Sequence, residues 1–386
     1  MIKFSEIASL RNEKYSPNAK ESLPYIGLEH IEQQTLRLSG VGDSSAVISP
    51  KNRFYAGDIL FGKLRPYFRK VYRPNFDGVC SADIWVVNAK EGFDQAYIFY
   101  LMASKDFINE CDSGSSGTRM PRADWKHIAN TLWEVPSLEQ QELIGSYLSD
   151  LDRKIELNRK TNQTLEEIAQ AIFKEWFVDF NYPGAAGELI DSPLGPIPKG
   201  WQWRKIGDVM TVQGGSTPFT EKDEYWDGSF PWVTPKDLSS NDSHFLYETD
   251  RSLSESGVQQ ISSGILPIGT VLLSSRAPIG YVAVTTVPVS INQGFIAINS
   301  DIFHEYYLIL WIKNNLNLIK SRANGSTFLE ISKSNFRIID ILQPDSETLT
   351  QFSTTAKQSF NSMMNNDKQN RILSRIRDSL GTKFFH

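Results

Sequence analysis

The feature that most constrains this chain is that it is written twice, each copy ending in a long helix-forming stretch. KFSEIAS at 3–9 answers KIGDVMT at 205–211, PYIGLEHI at 24–31 answers PWVTPKDL at 231–238, and GDILF at 57–61 answers GTVLL at 269–273. A basic-plus-proline step comes next, Arg65-Pro66 and Arg276-Ala277-Pro278, and strand-like runs at 84–87 and 295–298 then close on Asn88 and Asn299. Helical stretches at 94–110 and 302–320 lead to Gly/Ser loops at 113–118 and 324–327, and each copy ends in an apolar run stopped by Pro136 or Pro344. Most matched pairs lie 207 to 212 positions apart. A kept order at a near-constant offset implies a domain-sized duplication, far longer than the ~20–50-residue periods of solenoids.

Residues 137–180 contain no Pro and a single Gly, Gly145. Leu148, Leu151, Ile155, Asn158, Asn162, Leu165, Ala169, Ile172 and Trp176 recur at alternating steps of three and four, which predicts a coiled-coil seam. Ser137 with Gln140 predicts the N-terminal cap, and at about 1.5 Å per residue the helix would be near 60 Å long. Pro183-Gly184 and DSPLGPIPKG at 191–200 predict a stop and a stiff linker. Residues 345–380 repeat the pattern through Leu349, Phe352, Ala356, Phe360, Met363, Leu373 and Leu380, with a polar centre at Asn365, Asn366, Asp367 and Asn370. Two single amphipathic helices most simply pair with each other. With a globular copy between them they would run antiparallel, and their polar centres would meet. The competing arrangements place each helix on its own copy or on another subunit.

Catalytic signatures are not advertised. Gly57 to Leu64 nearly spells a phosphate loop but ends in Leu64, which cannot ligate magnesium, and Ile59-Leu60-Phe61 reads as a buried strand. Gly214-Gly215-Ser216-Thr217 lacks the spacing of a dinucleotide loop, and no G-x-S-x-G elbow occurs. Asn181-Tyr182-Pro183 has the wrong order for the Asn-Pro-Pro-aromatic element of amino-methyltransferases. The histidines show no metal spacing, and two cysteines, Cys80 and Cys111, make no disulfide framework and fit a reducing cytoplasm. The N-terminus has no long apolar core and no run of about 18 apolar residues occurs, so neither a signal peptide nor a membrane span is expected.

Charge points toward nucleic acid. The chain carries a net −5, yet Lys51, Arg53, Lys63, Arg65, Arg69, Lys70 and Arg73 stand against Asp58 alone between residues 50 and 76, interleaved with Tyr55, Tyr67, Phe68 and Tyr72. Such a cluster neutralises phosphates and steers association, and Arg forks read guanine edges; a solvated strand face is the plainer reading. The Gly/Ser/Thr loops, followed by Arg119 and Arg122 or by Lys333 and Arg337, could approach phosphate or be simple surface turns. Between the copies GLEHIE becomes TPKDLS, and the basic 63–73 stretch becomes SSRAPIGYVAV. Similar scaffolds with different surfaces suggest two different targets.

These residues together resemble the specificity subunit of type I restriction-modification systems. The resemblance rests on PYIGLEHIE at 24–32, GDILFGKLRPYF at 57–68, GSSGTRMPR at 114–122, PSLEQQELIGSYLSDLDRKIE at 136–156, and EWFVDF at 175–180 with PLGPIPKGWQW at 193–203. PWVTPKDL and GTVLLSSRAPIGYVAV extend it over essentially the whole chain.

It implies an α+β fold in which two similar target recognition domains, 1–136 and 201–344, are separated by two long helices, 137–180 and 345–380, packed as an antiparallel coiled coil with pseudo-twofold symmetry. Residues 181–200 would be the linker. The chain would read a bipartite sequence in double-stranded DNA without a catalytic centre or cofactor of its own. Two methyltransferase subunits carrying S-adenosylmethionine would dock on it and methylate adenine N6, restriction subunits could join, and the location would be cytoplasmic. The helices would then act as a ruler for the non-specific gap between half-sites. The candidate DNA-binding residues are Lys63, Arg65, Arg69, Lys70, Arg73, Arg119 and Arg122 in the first domain, and Thr217, Lys236, Arg276, Asn292, Gln293 and Ser326 in the second. The alternative of another class is a coiled-coil adaptor whose duplicated domains bind proteins or glycans.

Overall fold

The computed structural model describes every residue except 18–20, 116–119, 186, 240, 242, 326–328 and 386. By its internal contacts the chain forms two compact units, residues 1–157 with 369–386, and residues 158–368.

In the first unit, strand Ile2–Lys3 pairs with Leu132–Trp133 and so ties the start of the globular part to its end. Next comes a four-stranded antiparallel sheet in the order Ala8–Leu10, Ile84–Ala89, Ile59–Gly62, Val71–Tyr72. The apolar runs in its central strands follow from burial on both faces. Alternate residues Ile59, Phe61, Trp85 and Val87 join the core under helices Gln95–Ala103 and Lys105–Ser113. Leu60, Ile84 and Val86 point the other way, to a cluster with Ile26, Phe54 and Cys80 from a second, five-stranded sheet. Burying each such side chain stabilises the fold by about 1.5–3 kcal/mol. Asp94 and Ser104 cap the two helices by accepting from the N–H groups of Tyr97 and Phe107.

The second unit repeats this plan. Gln202–Lys205 pairs with Asp340–Gln343, and the main sheet runs Thr211–Gly214, Phe295–Asn299, Val271–Ser274, Val282–Thr285, with Phe245–Leu246 added at the edge. Val271, Leu273, Ile296 and Ile298 face the helical core around Glu305–Asn314. Leu272, Ala283, Phe295 and Ala297 face a second cluster. The Asn that closes each central strand has an equivalent use: Asn88 donates to the buried Asp58, and Asn299 accepts from Thr270 at 3.1 Å. A three-stranded sheet, Arg251–Leu253, Trp226–Val233, Ser290–Ile291, stands where the first unit has its five-stranded one. The expected linker carries structure of its own, because Leu189–Ile190 and Ile197–Pro198 pair as a small hairpin.

The long helices run over Leu138–Phe177 and Ser346–Phe384. Ser137 and Gln140 exchange hydrogen bonds as a capping box at 3.4 Å, and Asp345 accepts the Thr348 N–H at 2.8 Å to start the second helix. That helix continues four residues past the expected end at 380. Its terminus is anchored, with Leu380, Phe384 and Phe385 packing on the first unit's core and Phe385 lying 5.2 Å from the Tyr97 ring.

The two helices pair antiparallel in each unit. In the first unit, Asp152 accepts from Arg377 at 2.6 Å, while Leu148 and Leu151 share a core with Leu380 and Phe384. In the second, Phe173, Trp176 and Phe177 meet Phe352 near the start of the other helix, and Asn162 meets Asp367 further along it. The polar centres meet as expected. Asn162 donates to Asp367 and accepts from Asn366, both at 2.8 Å. The nine seam residues are all buried or half-buried. Phe173 and Phe177 are buried too, so the apolar face is wider than a two-helix seam and also covers the second unit's core at Tyr307. Gly145 lies where the first helix crosses the start of Gln95–Ala103; a Cβ there would come 2.5 Å from Asp94 Oδ1 and 2.9 Å from the Tyr97 nitrogen.

Candidate nucleic-acid interface

Each unit presents one rim built from the same main-chain hydrogen bonds. In the first, the Lys63 N–H donates to Asp83 O, Ala123 N–H to Lys63 O, and Ser81 N–H to Ile26 O, at 2.9–3.0 Å. In the second, the Ser275 N–H donates to Gly294 O, Ile331 N–H to Ser275 O, and Asn292 N–H to Val233 O, at 2.8–3.0 Å. Bridges Leu64 to Arg122 and Arg276 to Glu330 fall at matching places. Just beyond them, Arg65 and Ala277 both take left-handed backbone, with φ of 53° and 51°. Non-glycine residues there are uncommon and concentrate at functional loops. The duplication thus extends to the strained turn at the rim.

The side chains on this frame differ. On the first rim, Asp83 Oδ1 lies 3.3 Å from Arg122 Nε and 3.9 Å from Lys63 Nζ, holding two candidate cations with their heads still partly in solvent. Arg65 extends over the Phe68 ring at 5.8 Å, and its Nε has no hydrogen-bond partner among the described residues. On the second rim, the Thr217 hydroxyl donates to Gln293 Oε1 at 2.5 Å, and Asn292 accepts the Gly294 N–H at 2.8 Å. Lys236 pairs with Asp250 at 2.7 Å, which raises the affinity of its amine for a proton, and Arg276 lies 3.7 Å from Glu330. Gly215 brings the 214–217 loop against this rim: the Ser216 N–H donates to Ile291 O, and a Cβ on Gly215 would fall 1.8 Å from that oxygen.

Three candidates belong to the scaffold instead. Arg69 donates from Nε to Ala103 O at 2.6 Å and lies 3.7 Å from Asp378; burial pushes its pKa down. Lys70 donates to Leu28 O, and Arg73 lies over the Phe99 ring at 5.6 Å with Ser149 within reach. The basic run at 50–76 is therefore divided by the fold, with a rim at Lys63 and Arg65 and internal anchors from Arg69 to Arg73. Arg119 and Ser326 lie outside the described residues, as does half of each Gly/Ser loop.

Sequence reasoning missed Asp83 and Glu330, whose approach to Lys63, Arg122 and Arg276 is set by the fold. It also missed two ionic anchors of the long helices. In the second unit, Glu166 receives His244 Nε2 at 2.9 Å and also Lys313. Burial pushes the Glu166 carboxyl up, but hydrogen bonds and charge from His244 and Lys313 outweigh it and hold it at about 2. In the first, Arg377, 6% exposed, joins Asp152 and Asp378, and Asp152 also accepts the Tyr100 hydroxyl at 2.6 Å. Among the described residues, no cluster of three His, Cys, Asp or Glu is placed to hold a metal, and no helix is long and apolar enough to cross a membrane.

Comparison with known proteins bears on the fold and the family. The type I restriction enzyme MjaIX specificity subunit of Methanocaldococcus jannaschii is 38% identical over 201 residues, covering 51% of this chain and 46% of that protein. The HindI specificity subunit of Haemophilus influenzae is 25% identical, with 86% of each chain covered. This chain thus matches about half the length of the first relative and most of the second. Among solved structures, the S subunit of a type I restriction-modification system from M. genitalium shares the fold, with a TM-score of 0.59 and 14% identity over 100% of this chain and 95% of that one. None of these comparisons supports the adaptor alternative. The family model described as "Type I restriction modification DNA specificity domain" matches residues 1–167 and 198–378, so this chain, with its rim built twice on a paired-helix frame, belongs to that family.

Proposed function

We propose that this chain selects the DNA target of a modification-restriction complex, each unit reading one half of a bipartite site in duplex DNA. The observation that carries this reading is the repeated rim: one main-chain frame, used twice, bearing Lys63, Arg65 and Arg122 in one unit and Thr217, Asn292, Gln293 and Arg276 in the other. Guanidinium and ammonium groups suit phosphates and guanine, and amides suit adenine edges. Two methyltransferase subunits would bring S-adenosylmethionine and transfer its methyl group to adenine N6, and this chain would supply aim without chemistry. Restriction subunits would complete the complex in the cytoplasm.

The test is a map of adenine-N6 methylation in the host with and without the chain, and with Asn292 and Gln293 changed to Ala. A bipartite motif should vanish with the chain. The double variant should relax bases in one half-site only. Methylation that is unchanged without the chain would overturn the proposal.

A further inference from the structure

The second unit's rim continues into the three-stranded sheet, where Trp232 is paired with both Ser290 and Arg251. Trp226 and Trp232 meet edge to face, with ring centres 5.0 Å apart. Their indole N–H groups donate to Phe219 O and Ser216 O, so the loop that carries Thr217 hangs from these two rings. The Arg251 guanidinium lies over the Trp226 ring at 3.5 Å and 5.6 Å from the Trp232 ring, and the residue is exposed.

Two observations separate Arg251 from the other cations here. Lys222, Lys236 and Arg276 each have a carboxylate within 4 Å, whereas Arg251 has none among the described residues. Its charge is therefore not neutralised locally. Stacking also fixes the plane of the guanidinium while leaving its N–H edge in solvent. A planar fork held in advance loses less freedom when it grips a ligand. Its place is at the flank: Trp232 stands between Arg251 on one strand and Ser290 on the other, so Arg251 lies across Trp226–Val233 from the strand that leads into Asn292 and Gln293.

We propose that Arg251 is a phosphate anchor of the second unit, clamping the DNA backbone beside the bases read by the Thr217, Asn292 and Gln293 corner. This rests on the DNA-reading function proposed above. Neither charge clustering nor periodicity marks Arg251 in the sequence; the indole platform that sets it is made by strand pairing.

The experiment measures duplex binding by the full-length chain, co-assembled with its methyltransferase subunit, by fluorescence anisotropy across a salt series. It compares the unaltered chain with Arg251→Ala, Arg251→Gln and Arg251→Lys, using the cognate duplex and duplexes altered base by base in the second half-site. Losing one phosphate contact reduces the slope of log affinity against log salt by about 0.9, which is roughly an eightfold loss near 0.1 M salt. Arg251→Ala and Arg251→Gln should both show this loss evenly across all duplexes, while Arg251→Lys keeps the slope. An unchanged slope in both neutral variants would overturn the anchor, and so would a loss confined to one base position, which identifies a base reader. Absence of salt-dependent duplex binding by the unaltered assembly would instead overturn the function itself.

Discussion

Replacing Glu166 by Gln should loosen the first long helix from the second unit's globular core by an amount that the structure bounds. Glu166 lies between His244 Nε2 at 2.9 Å and Lys313, with 26% of its side chain exposed. Its carboxyl is held at about 2 against an ordinary 4.5. That gap corresponds to about 3 kcal/mol at neutral pH. Partial exposure screens the pair, so we expect about 2 kcal/mol. The sign follows from a depressed carboxylate pKa. The contribution is fully present above about pH 4.5 and is lost as pH falls toward 2. Urea unfolding followed by tryptophan fluorescence, on the unaltered chain and Glu166→Gln at a series of pH values, measures it. The difference should be near 2 kcal/mol at pH 7 and shrink below pH 4.5. A difference under about 0.5 kcal/mol, or one constant from pH 7 to pH 3, would refute the assigned pairing of Glu166 with His244 and Lys313.

Gly215→Ala places a Cβ 1.8 Å from Ile291 O, so the 214–217 loop must move; methylation mapping should show relaxed selection in one half-site and an unchanged other half. Asp152→Asn leaves the buried Arg377 with Asp378 alone and should destabilise the first unit by about 3 kcal/mol, read by thermal unfolding. Replacing Asp152 and Arg377 together by Leu and Met should recover much of that loss. Adding or removing residues within 150–170, inside the continuous helix Leu138–Phe177, should change the length of the non-specific gap while both half-sites stay the same; motif analysis of the methylated DNA would report an altered half-site if the helix is not the ruler.

Much of the scaffold was legible because it is written in local periods. Alternation at two explains Leu60 and Phe61 facing opposite clusters, and the three-four spacing from Leu148 to Trp176 marks the buried face of a helix. The Ser137–Gln140 box was readable for the same reason, as residue types at a fixed offset, and the meeting of the polar centres at Asn162 and Asp367 followed from pairing two periodic helices antiparallel. What could not be read depends on partners far along the chain. Nothing near Arg69 announces Asp378, and nothing near Glu166 announces Lys313. A run of cations records how much charge is present. Which heads turn inward depends on which carbonyls, rings and carboxylates the fold delivers, so Lys63 and Lys70 share one stretch yet one faces Asp83 at the rim and the other donates to the Leu28 carbonyl.

The rims are held by carbonyls and amides that every amino acid carries. Exchanging the side chains at 63, 65 and 122, or at 217, 292 and 293, leaves that ladder in place. Under the DNA-reading function proposed above, new targets would arise by small edits at the margin of a fold whose interior stays fixed. Because the ladder occurs once in each unit, one half of such an address would be rewritten while the other is kept.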